Sequence, residues 1–532
     1  MKILLVIIII VIESLFLCAQ ENKDENPNVE LPDFVITGTD ISSIQKSKKI
    51  EHGFIPLLDD NFFMPSYSPD ELQVRELSEP KLNLFGRIDS SEYFLGKISA
   101  KAGNINLPST NLSLSSPFEN GMFQLLLVGE NKRAYIDNSE QYRINGGVNL
   151  FYQSQNESPI LNGTKFQLHA DYGRTSYKLF AANDPFIKRS LNKGNLSLRI
   201  ENLLEENVNY LFGLNDEIHS LQDNVYSENL LSLNSMLRFI PSDFSFGINS
   251  NYVIQFLKND IITKSTSDFL FIKPFVGYRL NNNLKFSLGI NYFNSQNNDK
   301  IYPYLFVGYM INSRLSVFGE YSPEVIFETN GHAVDRNPYF YIQNFVNHVY
   351  EKKNSMHVSA KYEFETYYEI NGGLKYYSSD SNPYFESSAL AGRFNIKKTR
   401  VSSYSGYVNL LFHSGPYGYF YGTIELNETK MGNGNILPYH PVFVSYLTYG
   451  YKFDIGLNSE LTLNYSSKQF TDILNKNYLN PFVDLSLDLS YTISKGFQLT
   501  LELNNLLNRK NYRWLNYQEP QLDLSAGLIY RW

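Results

Sequence analysis

The chain ends on Gln521-Leu522-Asp523-Leu524-Ser525-Ala526-Gly527-Leu528-Ile529-Tyr530-Arg531-Trp532. Every second residue is apolar: Leu522, Leu524, Ala526, Leu528, Tyr530 and Trp532. The interleaved set, Asp523, Ser525, Gly527, Ile529 and Arg531, is mostly polar. A strand sends successive side chains to opposite faces, so this segment carries one greasy face, closed by two aromatics, and one polar face. A strand that turns its greasy face to lipid and sets its last aromatic at the lipid–water boundary has this composition.

The same alternation recurs upstream. Phe497, Leu499, Leu501 and Leu503 alternate with Gln498, Thr500, Glu502 and Asn504. Val483, Leu485, Leu487, Leu489, Tyr491 and Ile493 alternate with Asp484, Ser486, Asp488, Ser490 and Thr492. Leu284, Phe286, Leu288, Ile290 and Tyr292 do so with Lys285, Ser287, Gly289 and Asn291, and Phe244, Phe246 and Ile248 with Ser245, Gly247 and Asn249. A soluble sandwich also alternates, but not with a polar face this rich in Asp, Asn and Ser over so many consecutive strands. The Tyr-rich and Phe-rich composition (40 and 38 residues, 15 % aromatic) fits interface girdles, and the low mean hydropathy of −0.29 fits strands that are half polar. Past the N-terminus no apolar run approaches the roughly 20 residues a spanning helix needs. An integral protein built this way must close its sheet, because lipid satisfies no open edge.

Three connections share a form. Tyr278-Arg279-Leu280 leads through Asn281-Asn282-Asn283 to Leu284; Tyr309-Met310-Ile311 leads through Asn312-Ser313-Arg314 to Leu315; Tyr491-Thr492-Ile493 leads through Ser494-Lys495-Gly496 to Phe497. These read as tight hairpins with an aromatic at the membrane boundary. Longer connections at 257–265, 328–353, 429–440, 473–480 and 508–520 alternate with the short ones, as external loops do with periplasmic turns. The parity is clear back to about residue 200 and ambiguous before it. The reading is an all-β fold, a transmembrane antiparallel β-barrel of about 22 strands, spanning 82–532.

Ahead of the barrel, Lys2 followed by the apolar stretch Ile3 to Leu17, interrupted by Glu13 and Ser14, and then Leu17-Cys18-Ala19 before Gln20, predicts a signal peptide over 1–19. A lipoprotein signal lipidated at Cys18 is the rival, but Leu17 is large for the position before such a cysteine. Cleavage after Ala19 leaves no cysteine, hence no disulfide and no thiolate chemistry. Residues 20–81 form a periplasmic segment, polar and charged from Gln20 to Glu30 and punctuated by Pro32, Pro56, Pro65, Pro69 and Pro80. The formal net charge of −8 argues against a nucleic-acid partner.

Leu501-Glu502-Leu503-Asn504-Asn505-Leu506-Leu507-Asn508-Arg509-Lys510-Asn511-Tyr512 resembles the penultimate strand and loop of TonB-dependent outer-membrane receptors, with Leu507 where Phe is usual and Asn508 where Asp is common. Asn337-Pro338, ahead of the strand from Met356 to Phe364, resembles a loop of the same family. Phe34-Val35-Ile36-Thr37-Gly38, following Asp33, is similar to its TonB-box region. The stretch between Gly38 and Leu82 is too short for the family's plug domain and lacks its arginine-glycine motifs, so the resemblance covers the barrel and a docking peptide. It implies residence in the outer membrane of a Gram-negative bacterium, contact with outer-membrane lipid, and insertion by the barrel-insertion machinery, which reads a terminal aromatic such as Tyr530 or Trp532. It also implies a TonB-like periplasmic energy transducer as partner, met by strand addition at Phe34–Gly38. The plain alternative for that run is a short apolar patch in a linker or a strand inside the barrel.

The loop 328–353 is the candidate for holding a small solute. It carries His332, Asp335, Arg336, Tyr339, Phe340, Tyr341 and Phe345, aromatics with a few convergent polar groups. The alternative is an exposed loop above an aromatic girdle. The eight histidines, His52, His169, His219, His332, His348, His357, His413 and His440, form no His-x-x-x-His or Glu-x-x-His cluster, so no metal site is read. No nucleotide fingerprint and no marked nucleophile–base pair appears, so neither cofactor nor enzyme is expected. The expected function is that of a receptor and transporter for an unidentified solute. A passive porin-like channel or a non-transporting scaffold barrel are the alternatives.

Overall fold

The computed structural model describes residues 95–532 except 156–160, 204–206, 224–225, 259–264, 282, 296–297, 343–347, 365–367 and 414–416. The expected signal peptide, the segment 20–81 with Phe34–Gly38, the barrel start at 82, and Phe345 lie outside the described residues. The strands close into one antiparallel barrel of 22 strands. The first, Gly96–Gly103, pairs with Ser109–Phe118 on one side and with the last, Asp523–Arg531, on the other. Every neighbour in between is a sequential hairpin partner, so each backbone donor and acceptor at membrane depth has a place in a ladder. No described helix is long and apolar enough to cross a membrane; the crossing is done by strands.

The register puts the side chains where the alternation assigned them. Leu461 stands opposite Leu487, Leu487 opposite Leu503, and Leu503 opposite Leu524, giving a continuous leucine row around the outside. Leu499, Leu522, Leu524 and Leu528 are exposed, and Leu485, Leu489 and Leu501 share their parity. On the other face, Glu460, Asp488, Glu502 and Ser525 line up across four strands. Glu502 accepts from Lys101 at 2.9 Å, and the buried Asp523 accepts from the Asn106 amide. An exposed apolar exterior over a polar, hydrogen-bonded interior is the reverse of a soluble protein, and only lipid outside and water or chain inside satisfies it.

The two rims differ. At one, Asn281 Oδ1 accepts from the backbone N–H of Asn283 and Leu284, and Asn312 Oδ1 from Arg314 and Leu315. Both asparagines thus act as side-chain mimics of a backbone turn, which is why Asn opens these connections. Gly496 takes a φ of +91° in the third such turn, Ser494-Lys495-Gly496. The C-terminus lies at this rim, where Phe497, Tyr530 and Trp532 stack in series, with centroids 4.5 and 5.5 Å apart. Trp532 spreads its ring over Gly96, where a Cβ would meet ring atoms at 2.1 Å. The parity ambiguity before residue 200 has a cause: the connection 154–164 is long and sits at the short-turn rim, between Gln141–Gln153 and Lys165–Lys178.

The opposite rim carries the tall loops. Strands Tyr368–Ser387 and Phe394–His413 run 20 residues each, about twice what a membrane crossing uses, so their hairpin stands above the bilayer. One connection at this rim first continues its hairpin, with Glu324–Glu328 pairing with His348–Lys352 at the upper end of a barrel strand. The strand Leu315–Tyr321 breaks at Ser322-Pro323, where Pro has no N–H to continue a ladder, and Asn291 holds the break by donating to Ser322 Oγ and the Pro323 carbonyl. The chain then turns inward.

Candidate functional site

From Glu324 the chain forms an inward strap: a strand Glu324–Glu328, a helix α1 Asn330–Arg336, and an extended tail to Ile342. Val325 packs on Leu230, Val253, Phe269 and Phe293, all of them lumen-facing. Helix α1 is capped by Thr329, whose Oγ1 accepts from the His332 N–H at 3.2 Å. Ala333 and Val334 are fully buried against Leu191, Leu221, Tyr226 and Leu257 of the wall. Gly331 makes the close approach: its N–H donates to Glu228 at 2.6 Å, and a Cβ there would meet the His219 ring and Glu228 at 2.7–2.9 Å. Helix α1 therefore lies against the inner wall because one residue has no side chain.

The polar face of α1 is tied to the same wall. His332 Nε2 lies 3.5 Å from Glu217. Asp335 is paired with Lys193 and stands 3.5 Å from His219. Arg336 pairs with Glu328 and lies over the Phe385 ring at 5.3 Å. Glu228 also accepts from Tyr226 and Gln255, so the wall carboxylate that meets the helix is itself fixed.

The tail of the strap is gripped by Arg189, whose side chain is wholly buried. Its guanidinium makes a forked contact with Asp223, at 2.8–3.1 Å, and spends its remaining N–H groups on the carbonyls of Pro338 and Phe340, both at 2.7 Å. Tyr177 adds a hydrogen bond to the Pro338 carbonyl at 2.6 Å. Phe340 is buried beside Phe385 and Phe394, and Tyr339 stacks on Tyr517. Trp514 sits at the centre of this aromatic lid, 5.2, 5.1 and 4.8 Å from Phe385, Phe394 and Tyr439.

The loop residues singled out from the sequence thus separate. His332 and Asp335 lie on the strap in ion pairs with the wall, Arg336 pairs within the strap with Glu328, and Tyr339 and Phe340 serve the packing of the lid. Arg189, Asp223, Glu217, Lys193 and Glu228 were not marked in the sequence reading. His219 and Glu228 did carry a legible signal, because they stand directly opposite each other on the paired strands Val208–Leu221 and Tyr226–Phe239. Among the described residues no group of three metal-ligating side chains is assembled. Outside the lid, a cleft of about 640 Å³ opens between the 386–387 hairpin end, the 471–478 loop and Leu515, with Asp472, Lys476 and Tyr478 in its lining.

The strap's hold depends on pH. Enclosure disfavours the His332 imidazolium, but the hydrogen bond and charge of Glu217 outweigh it and, with Glu228 and Asp335, raise its pKa above the ordinary 6.5. Enclosure works against the Asp335 carboxylate too, but His219 and Lys193 lower its pKa below the ordinary 3.8. A raised imidazolium contributes fully below 6.5 and is lost as pH rises through the raised value; a lowered carboxylate contributes above 3.8 and is lost as pH falls through the lowered one. The strap is held best between those limits. Nearly half of the His332 side chain is exposed, so its share is about 0.5 kcal/mol. We expect acrylamide quenching of Trp514 to rise as pH climbs above 6.5, and His332→Gln to abolish that step. A step of equal size in the variant would assign it elsewhere.

A closed antiparallel barrel with a greasy exterior, tall loops on one rim and a loop packed against its inner wall is a membrane β-barrel. Solved structures of that type are similar in fold. The ferric-catecholate import receptor Fiu from K12 E. coli matches with a TM-score of 0.61 at 9 % identity, over 83 % of this chain and 82 % of that one. The siderophore receptor PiuA from Acinetobacter baumannii matches at 0.61 and 12 % identity, again over 83 % and 82 %. The FrpB iron transporter from Neisseria meningitidis matches at 0.64 and 9 % identity, over the same shares. These neighbours are TonB-dependent outer-membrane receptors rather than enzymes, and the chain shares their barrel fold. No family model matches the sequence, and no curated protein is significantly similar to it.

Proposed function

We propose that the protein is an outer-membrane receptor that binds a solute at its tall-loop rim and imports it with energy supplied from the periplasm. The observation that carries this reading is the strap. It packs against the inner wall and is fastened there through Arg189, Glu228, Glu217 and Lys193, so it narrows the passage through the barrel. A gated receptor needs such a fastening, because uptake then waits on a change that the solute or the periplasmic side must drive. The cleft beside Asp472 and Tyr478 is the recess where solute would first dock. The similar structures include a ferric-catecholate import receptor, a siderophore receptor and an iron transporter, and ferric chelates are the first solutes to try.

On this reading residues 1–19 are a cleaved leader, 20–81 a periplasmic segment and 82–532 the barrel. Phe34–Gly38 meets a TonB-like transducer. Strand addition draws its affinity from main-chain hydrogen bonds, so a proline in the middle removes a donor and breaks it. Ile36→Pro is expected to stop uptake while leaving the heat-modifiable, folded barrel at its normal amount. Equal uptake by both proteins, or uptake indifferent to collapse of the proton gradient, would make the protein a passive channel.

A further inference from the structure

On the outside of the barrel, toward the tall-loop rim, three rows of side chains run across the strands His348–Phe364, Tyr368–Ser387, Phe394–His413 and Tyr419–Met431. The lowest row is apolar, with Val358, Leu374 and Leu426 all more than half exposed. The next holds Met356, Tyr376 and Tyr404, the two tyrosine rings 4.8 Å apart. The third, nearest the rim, is Lys353, Ser378, Ser402 and Lys430, each directly opposite the next. Ser379, Val401, Ser403, Thr429 and Met431 alternate with this row and are buried, so the row itself faces out. Apolar residues, then tyrosines, then lysines follow the order of a bilayer from its acyl chains through the boundary to its headgroups.

Two irregularities of the ladder bring charge to the third row. The register shifts between Lys353 and Met356, where Asn354 takes a φ of +51°. Met356 and Val358 face out below the shift, so simple alternation would turn Lys353 inward. The bulge re-aims it: Lys353 goes outward, and Lys352 goes inward, over the Tyr377 ring at 5.2 Å. A second shift, between Ser379 and Asn382, sets Asp380 beside it. Asp380 accepts from Lys353 Nζ at 2.7 Å through one oxygen and from Arg400 Nε at 3.0 Å through the other. One carboxylate thus gathers two cations. Arg400 is held through Nε while its side chain is 74 % exposed, which presents the end of the guanidinium outward. Lys430, paired with Glu428 at 2.8 Å, closes the row three strand spacings from Lys353, about 15 Å away. Glu351, 3.7 Å from Lys353, is itself 3.2 Å from Lys300. Lys353, Arg400 and Lys430 against Asp380 and Glu428 leave the row positive.

A guanidinium end between two ammonium groups suits phosphate, since Arg forks onto its oxygens and Lys adds charge. The small Ser378 and Ser402 leave a trough between the lysines. A phosphate in water would meet only the charges. A phosphate carried on acyl chains also gains the tyrosine and apolar rows directly beneath them. We propose that this outer face binds a phosphorylated lipid of the leaflet on the tall-loop side, its phosphate on Lys353, Arg400 and Lys430 and its acyl chains along Met356, Leu374 and Leu426. The site lies outside the lumen, so it stands whatever solute the barrel carries.

The test is native mass spectrometry of the full-length protein in detergent, with heat-modifiable migration as the check on folding. Dioleoylphosphatidic acid is titrated in, and dioleoylglycerol and inorganic phosphate serve as separate arms. The parent protein is expected to retain the phosphatidate and neither of the other two. Lys353→Gln, Arg400→Gln and Lys430→Gln combined should weaken that binding at least roughly tenfold. Arg400→Gln alone should weaken it measurably; its side chain is largely exposed and its loss touches no ladder bond, so this variant keeps the test open if the triple one does not fold. Lys188→Gln, Lys258→Gln and Lys495→Gln combined remove the same charge from exposed positions elsewhere and should leave binding unchanged. An equal loss in that control, equal retention of dioleoylglycerol or of inorganic phosphate, or no phosphatidate on the folded parent would each overturn the assignment.

Discussion

Arg189→Ala is expected to open the outer lid. The substitution strips Asp223 of its forked partner while both sites are buried, removes the Arg189 donor of the Phe340 carbonyl, and leaves the Pro338 carbonyl with Tyr177 alone. Breaking a buried charge pair from one side costs about 3–5 kcal/mol, because the remaining charge stays desolvated. Arg393, 4.0 Å from Asp223, is too distant to replace the fork. The penalty falls on the closed arrangement of the strap tail rather than on the barrel ladders, whose hydrogen bonds the substitution leaves alone. The barrel should therefore still migrate as a folded species, while Trp514 becomes strongly quenchable by acrylamide and small sugars enter liposomes containing the variant faster. Trp532, at the other rim, supplies the constant background in the same spectrum. Arg189→Lys should recover little, since an ammonium cannot present parallel N–H groups to a carboxylate and still reach two carbonyls. Unchanged quenching and swelling in Arg189→Ala would mean the lid is held by its aromatic packing alone.

Deleting Tyr530–Trp532 should abolish most of the folded protein in the outer membrane. These residues lie at the seam where the sheet closes. Gly96 and Trp532 exchange two backbone hydrogen bonds at 3.1 and 3.0 Å, Arg531 donates to Gly496 at 2.8 Å, and Tyr530 stands opposite both Ile98 and Phe497. Truncation frays the last strand against both neighbours at once, at the membrane boundary where unpaired backbone groups cost several kcal/mol each. It also removes the terminal aromatics proposed as the insertion signal. A loss of only about 1.4 kcal/mol already lowers the folded fraction tenfold relative to unfolded chain. The check is the amount of heat-modifiable barrel in purified outer membranes, and equal amounts from the truncated and parent chains would remove both roles. Trp532→Phe separates them: it keeps an aromatic terminus and the backbone bonds, so assembly should be close to normal.

The barrel was legible because its signal is local and repeated. Leu485, Leu487 and Leu489 against Asp484, Ser486 and Asp488 state which face is which without reference to any neighbour, since a strand has only two faces. Asn281 and Asn312 announced their turns because a short amide side chain can close a turn within three residues. The parity failed near 154–164, where loop length stopped reporting which rim a connection belongs to.

The strap was only half legible. His332, Asp335 and Arg336 stood out as a polar group in a long loop, yet nothing in that loop says that it folds inward. That depends on Gly331 meeting His219 and Glu228, which are 103 or more residues away in sequence, and on Arg189 reaching Pro338 from 149 residues away. By itself the sequence determined a lipid-facing, closed antiparallel barrel with tall loops on one rim, because alternation and turn chemistry act over two to four residues. Only the tertiary structure decided that one of those loops lies against the inner wall and that Arg189 and Asp223 fasten it. Those facts depend on side chains brought together by barrel closure, and closure sets distances that no local pattern encodes.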